Sequence, residues 1–418
     1  MFYDCSSLNS VKCLHPYLID EYFNWLSGVS ATGTFTQMEG VEWPSGASGI
    51  PEGWTVVETG QHYETPLTLE AIAAGTITFD NQASGLVSYT VNGGSSQSIA
   101  KSQSKAISVS AGDKVCFYGN NATYGSSSTN YSSISCSADC YIYGNIMSLI
   151  SSSNYENLKT LASTYTFYQL FYGNTHIKNH ETKHLYLPAT TLTNYCYYKM
   201  FSGCTGLTSA PNLPATTLAK YCYYAMFYGC TGLTKTSKMS ATTVADYSCQ
   251  QMFKGCTNIT YAYKLFATTL NRSCYQELFS GCTKLTTAPE LPAETLAESC
   301  YRQMFSGCTS LTTAPELRAE TLAQYCYYQM FYGCTKLTTA PELPAKTLVN
   351  YCYQQMFDGC SKLNSIKCLA TNISATSCLR EWVKSVASSG TFTKANGMKS
   401  WPSGISGIPS NWTVEDAE

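Results

Sequence analysis

The sequence predicts a mixed α/β solenoid: a leucine-rich-repeat-like stack of 26-residue coils, preceded by a small antiparallel β-sandwich. Three observations lead there. The phrase Met200-Phe201-Ser202-Gly203-Cys204 returns with Met226, Met252, Leu278, Met304, Met330 and Met356 in the place of Met200, always at a step of 26 residues. A fixed period of this size marks stacked units, each of which can bury its apolar face only against its neighbours. The apolar residues also fall in columns: Phe201 to Phe357, Leu207 to Leu363, Leu213 to Leu369 and Leu192 to Leu348. Residues 66–145 lack the period, and alternate apolar and polar residues between turn signals, as half-buried strands do.

In chain order, residues 1–58 repeat the chain's own end. Phe2 to Leu14 matches Phe357 to Leu369, Gly33-Thr34-Phe35-Thr36 matches Gly390-Thr391-Phe392-Thr393, and Trp43-Pro44-Ser45-Gly46 matches Trp401 to Gly404. Solenoids need a terminal unit that closes the open core, so residues 1–58 read as the C-terminal cap of a preceding repeat module. Met1 aligns with the repeat's own Met, which predicts a chain that starts inside a longer one. No signal peptide is visible at Met1-Phe2-Tyr3-Asp4. Residues 59–145 form the β-sandwich, with Leu86 to Val91 running into the hairpin turn Asn92-Gly93. Residues 146–186 form an N-terminal cap with one degenerate repeat around Leu170-Phe171-Tyr172-Gly173.

Residues 187–368 hold the seven repeats. Leu192, Cys196 and Met200 sit four apart, which predicts one face of a short helix, with Gly203 as its left-handed cap. Stretches such as Leu285-Thr286-Thr287-Ala288-Pro289 predict a short strand ended by proline. Each coil is then strand, turn, short helix, turn, with successive strands parallel and about 4.8 Å apart. Residues 369–418 are the closing cap, with an amphipathic helix near Leu379–Val386 and a tail rich in Trp, Pro and Gly.

The repeat resembles those of the BspA-type leucine-rich-repeat surface proteins over about residues 165–375. The matching residues are the turn Phe331-Tyr332-Gly333-Cys334, Leu337, and Leu343-Pro344. A Trp/Gly/Pro cap typical of the family is present twice. The unit here, at 26 residues, is longer than the family's commonest one. The resemblance implies a cell-surface or secreted adhesin and names no ligand.

Composition narrows the partners. Charged residues are 12% and the net charge is −2, so the basic footprint that nucleic acid requires is missing. No run of about 18 apolar residues predicts a membrane span. The 33 Tyr residues, with abundant Ser and Thr, suit extracellular recognition, although about half of them read as core edges. Of 21 cysteines, 14 fall in two columns, Cys196 to Cys378 (broken at Ser248) and Cys204 to Cys360. Identical placement in every coil favours small buried thiols over a disulfide framework.

Candidate chemistry is sparse. His176, His180 and His184 lie four apart, a weak candidate metal set because the repeat pattern puts a strand and turn there. Cys136 and Cys140 have no second pair at zinc-site spacing. No nucleophile–base set, phosphate loop or cofactor motif appears, so no cofactor and no enzyme activity are expected. The expected ligand-binding positions are those that vary between coils on the strand side: Lys235, Tyr261 and Lys264 at one end, and Glu290, Glu316 and Glu342 at the other. The leading expectation is a non-enzymatic extracellular or cell-surface module that binds a surface protein or a glycan along its repeats. The basic-to-acidic gradient also suits head-to-tail self-association. The alternatives are a phage virion component, such as a tail-fibre or decoration receptor-binding domain, and, remotely, a polysaccharide hydrolase.

Overall fold

The computed structural model describes residues 2–13, 26–38, 43, 46, 49–59, 64–398 and 401–418. The chain divides into two compact units, Met1–Glu64 and Thr65–Glu418.

The first unit is built on three parallel strands, β1 (Ser10–Cys13), β2 (Gly33–Met38) and β3 (Trp54–Thr59), in the order β1-β2-β3. Phe35, Trp43, Ile50, Trp54, Leu26 and Val11 make its small core.

The second unit begins with ten strands that fall into two main sheets. They are β4 (Thr68–Ala71), β5 (Gly75–Asn81), β6 (Val87–Val91), β7 (Gln97–Ile99), β8 (Gln103–Val109), β9 (Lys114–Gly119), β10 (Gly125–Ser127), β11 (Asn130–Tyr131), β12 (Ser133–Cys136) and β13 (Cys140–Asn145). In one sheet β5 lies between β12 and β8; the other runs β13-β4-β9-β6-β7, and every pair named is antiparallel. Alternation puts Ile77 and Phe79 of the first sheet inside, against Phe117 of the second, with Phe79 and Phe117 ring centroids 5.3 Å apart. The other face of β13 is paired in parallel with β14 (Ile177–Asn179) and β15 (Leu185–Tyr186). The sandwich's last strand is therefore the first rung of the solenoid, and one apolar core runs from Leu67 to Trp412.

The repeats form a β-solenoid with almost no helix, which corrects the expected mixed α/β coil. The residues expected to be helical are a chain of overlapping turns. Tyr195, Tyr197, Lys199, Phe201 and Gly203 donate their N–H groups to the carbonyls of Lys220, Cys222, Tyr224, Met226 and Tyr228 in the next coil, at 2.7–3.1 Å. The residues between them, Cys196, Tyr198, Met200, Ser202 and Cys204, donate back three residues within their own coil. An α-helix would spend all of these donors on its own i−4 carbonyls and leave none for a neighbour. Every fourth residue takes a left-handed conformation: Tyr195 at φ 60°, Lys199 at φ 49° and Gly203 at φ 78°. A non-glycine residue there costs about 1–2 kcal/mol, which the inter-coil bonds offset. This alternation of turns has a side-chain period of four, and over nine residues that cannot be told from a helix. The cap stretch Leu379–Val386 departs from its expected helix in the same way, with Ser377, Glu381 and Ser385 at positive φ.

On the opposite arm the coils pair through single parallel bridges, among them Leu213↔Met239, Lys235↔Tyr261, Thr287↔Thr313 and Thr339↔Ser365. Prolines such as Pro289 and Pro292 carry no N–H and cannot donate to such bridges.

Inside, side chains stack in ladders. Phe171, Phe201, Phe227, Phe253, Phe279, Phe305, Phe331 and Phe357 run in register with centroids 5.4–6.0 Å apart and planes within 17°. Beside them Phe167, Tyr197 and Tyr223 stack, then Tyr275, Tyr301, Tyr327 and Tyr353, with Cys249 standing where the missing ring would be. Both ladders end on Trp382 of the C-terminal cap. That cap closes with β16 (Ser365–Cys368), β17 (Thr391–Lys394) and β18 (Thr413–Asp416), all parallel. One column ends differently from expectation: Leu343 pairs with Cys368, so Cys368 is buried and Leu369 only half so.

All fourteen column cysteines are buried. In the second column each thiol donates to the carbonyl of an upstream Phe: Cys204 to Phe171 at 3.0 Å, Cys230 to Phe201 at 2.9 Å, and so on to Cys360 and Phe331 at 3.0 Å. A site that must be small, apolar and a weak donor suits Cys better than Ala or Ser. Burial pushes Cys230, Cys308 and Cys360 up to about 12, which makes them poor nucleophiles.

Candidate functional site

The strand-side arm carries the positions expected to vary. In the regular coils it reads Thr287-Ala288-Pro289-Glu290-Leu291-Pro292, with Pro289 and Leu291 buried and Thr287 and Glu290 exposed. In the two coils before these, all four prolines are replaced: Ser237 and Ser240 in one, Tyr263 and Phe266 in the next. The exposed surface changes accordingly. Tyr261 is 52% and Phe266 37% exposed, on the same coil. Lys264 lies between them in sequence, with its ammonium 6.0 Å from the Phe266 ring centre, and Lys235 is the bridge partner of Tyr261. Tyr261 and Tyr263 meet edge to face at 5.2 Å.

A proline that becomes tyrosine gains an N–H that must find a partner. Tyr263 donates its N–H to the Thr236 hydroxyl at 3.0 Å. Thr236 is buried and stands where the other coils have Ala210, Ala262, Ala288, Ala314 and Ala340. The exchange at 263 is thus matched by a second exchange in the coil below.

The acidic end is more neutral than the sequence suggested. Glu290 pairs with Lys264 at 2.9 Å, Glu316 with Arg318 at 2.9 Å, and Glu342 with Lys367 at 2.9 Å. The Lys264 ammonium holds the Glu290 carboxyl below its usual range. Exposed pairs like these add little stability and offer little net charge to a partner. The structure therefore brings Lys235, Tyr261 and Lys264 together with Phe266, with Lys264 shared with Glu290, and leaves Glu316 and Glu342 in separate ion pairs. Phe266 carries no signal of its own in the sequence, because its column is otherwise mostly proline.

The three histidines do not converge. His176 pairs with Asp139 at 3.0 Å, next to Lys178, while His180 packs edge-on against Tyr141 and Tyr143. His184 lies at the foot of β15, and its carbonyl accepts from Gly144 N–H. Among the described residues no group of three His, Cys, Asp or Glu side chains is placed to hold a metal ion. No helix among them is long and apolar enough to cross a membrane.

Two other surfaces compete with the strand-side patch. On the turn arm, Tyr165, Tyr195, Tyr221 and Tyr247 stack at 4.8–4.9 Å, and Tyr168, Tyr198 and Tyr224 at 4.7 Å beside them. Within each stack the rings cover one another's faces, and the Lys220 ammonium lies 5.7 Å from the Tyr221 and Tyr247 ring centres. On the sandwich, Leu86, Ser88, Thr90, Tyr118, Asn120 and Asn121 line an open depression. The strand-side patch joins the exposed rings of Tyr261 and Phe266 to cationic side chains.

Set against known proteins, the chain matches no family model, no curated protein and no solved structure.

Proposed function

We propose that this chain is a non-enzymatic recognition module of the BspA-type adhesin class, with leucine-rich-repeat-like coils, that works at a cell surface or in secreted form. Its ligand is an acidic glycan, held at Lys235, Tyr261, Lys264 and Phe266. The observation that carries this reading is the coupled exchange at Thr236 and Tyr263: an aromatic, cationic patch replaces prolines, and the N–H that Tyr263 thereby gains is satisfied. Lysine ammonium groups suit the carboxylates of such a glycan, and ring surface suits the apolar faces of its sugars.

A glycan array with uronic-acid, sialic-acid and neutral oligosaccharides, probed with the full chain at about 50 and 500 mM salt, tests this. Expected is retention of at least one acidic class that weakens at the higher salt. Retention of neutral glycans only, or of none, contradicts the proposal.

A further inference from the structure

The chain holds the same closing structure twice. In both copies three parallel strands run in one register, Val11↔Phe35↔Val56 in the first and Ile366↔Phe392↔Val414 in the second. Phe35 meets Trp43 at 5.3 Å and 65°, and Phe392 meets Trp401 at 5.0 Å and 68°. Trp54 donates its indole N–H to Ser30 at 2.8 Å, and Trp412 to Ala387 at 2.9 Å. Gly33 and Gly390 are tight for the same reason: a Cβ would lie 2.6 Å from the Asn9 carbonyl in one and 2.3 Å from that of Asn364 in the other.

The copies differ on one face. In the second, the coil ending at Gln355 covers it. Phe331 stacks on Phe357 at 5.7 Å, the Cys360 thiol donates to the Phe331 carbonyl at 3.0 Å, and Leu343 bridges to Cys368. Cys360, Leu363 and Cys368 are fully buried there. Their counterparts in the first copy are not: Cys5 is exposed, and Leu8 and Cys13 are half-buried. Tyr3 is 61% exposed where Asp358 is 7%.

We infer that the face carrying Cys5, Leu8, Val11 and Cys13 is a docking surface for one repeat coil of the sequence class of residues 330–355. The occupant follows from the second copy, where the same residues in the same register are covered by such a coil. Within Thr65–Glu418 the coil of residues 330–355 is already bonded to the coils before and after it, so a second copy of this chain offers no free one.

The test extends the full-length protein by placing residues 304–355 ahead of Met1, so that Gln355 precedes Met1 as it precedes Met356. Alkylation of Cys5 under native conditions, read by peptide mass spectrometry, is expected to slow by about 100-fold or more, because reaction then requires local opening. Unchanged Cys5 reactivity in an extended chain that folds overturns the inference. So does protection of Cys5 in the unextended chain as its concentration rises, which would make a second copy the occupant. If the extended chain does not fold, a second variant decides: the full chain with residues 356–418 replaced by another copy of residues 1–59. Expected is a thermal midpoint close to the native one. Unfolding like a chain cut after Gln355 overturns the inference.

Discussion

Residues 235–266 and residues 287–344 belong to one solenoid and share its buried columns, yet they present different strand-side faces. In the second stretch the face repeats: paired threonines, two prolines (the second replaced by Arg318 in the middle coil) and a glutamate held by a neighbouring cation. In the first the prolines are gone, two aromatic rings reach solvent, and a threonine has entered the core to satisfy the backbone. The phenylalanine ladder beneath does not register the change, with Phe253 on Phe279 at 6.0 Å much as Phe305 on Phe331 at 5.7 Å, although the tyrosine ladder is interrupted there at Cys249. The lesson is that a stacked core frees the surface of each coil to vary, provided that backbone donors exposed by the variation find acceptors.

The largest effect tests whether the two stretches stand on the same scaffold. Phe253→Ala and Phe305→Ala should each destabilise by about 3–5 kcal/mol in denaturant unfolding. A much smaller cost at Phe253 would show that the aromatic coils are loosely packed, and the comparison would fail. Next comes the coupled pair. Thr236→Ala strands the Tyr263 N–H and should cost about 1–3 kcal/mol, whereas adding Tyr263→Pro to it should recover most of that loss. An additive double variant would break the claimed coupling.

A third prediction concerns the turn arm between the stretches. Glu277 is buried, which opposes its charge, but hydrogen bonds and attraction from Lys254 outweigh that and hold its carboxyl below 4.5. A carboxyl depressed on folding adds stability above its unfolded value, and that stability is lost as pH falls through the folded one. The thermal midpoint should therefore drop more steeply below about pH 4.5 in the native chain than in Glu277→Gln. Parallel curves would dissociate Glu277 from acid stability. The smallest effect belongs to the regular stretch: Glu290, Glu316 and Glu342 reversed together to Lys should leave the thermal midpoint nearly fixed and weaken or strengthen glycan binding only a few-fold. An effect as large as loss of the aromatic rings would move the recognition site to the glutamates.

The period of 26 made the solenoid and its ladder columns legible, because stacking demands the same residue type at the same step. The coil's backbone was not legible. Cys196 and Met200 do share a buried face, but a spacing of four arises from alternating turns as readily as from a helix. Only the destination of the N–H groups separates the two. Lys235, Tyr261 and Lys264 were visible as departures from their columns. The neutralisation of Glu290, Glu316 and Glu342 was not, because their partners Lys264, Arg318 and Lys367 come from other columns or other coils. Thr236 was hidden for a similar reason: alone it is an Ala-to-Thr change, and its meaning lies in a residue one coil away.

The central claim is that recognition sits on the aromatic stretch and not on its regular neighbour. The most direct measurement compares two double variants, Tyr261→Ala with Phe266→Ala, and the equivalent Thr287→Ala with Pro292→Ala one coil along. Each is titrated against the acidic glycan that the array retains most strongly. Losing two contact rings should weaken binding by about tenfold or more in the first variant, with the second within about twofold of the native chain. Equal affinities for the two variants, or a greater loss in the second, would contradict the account.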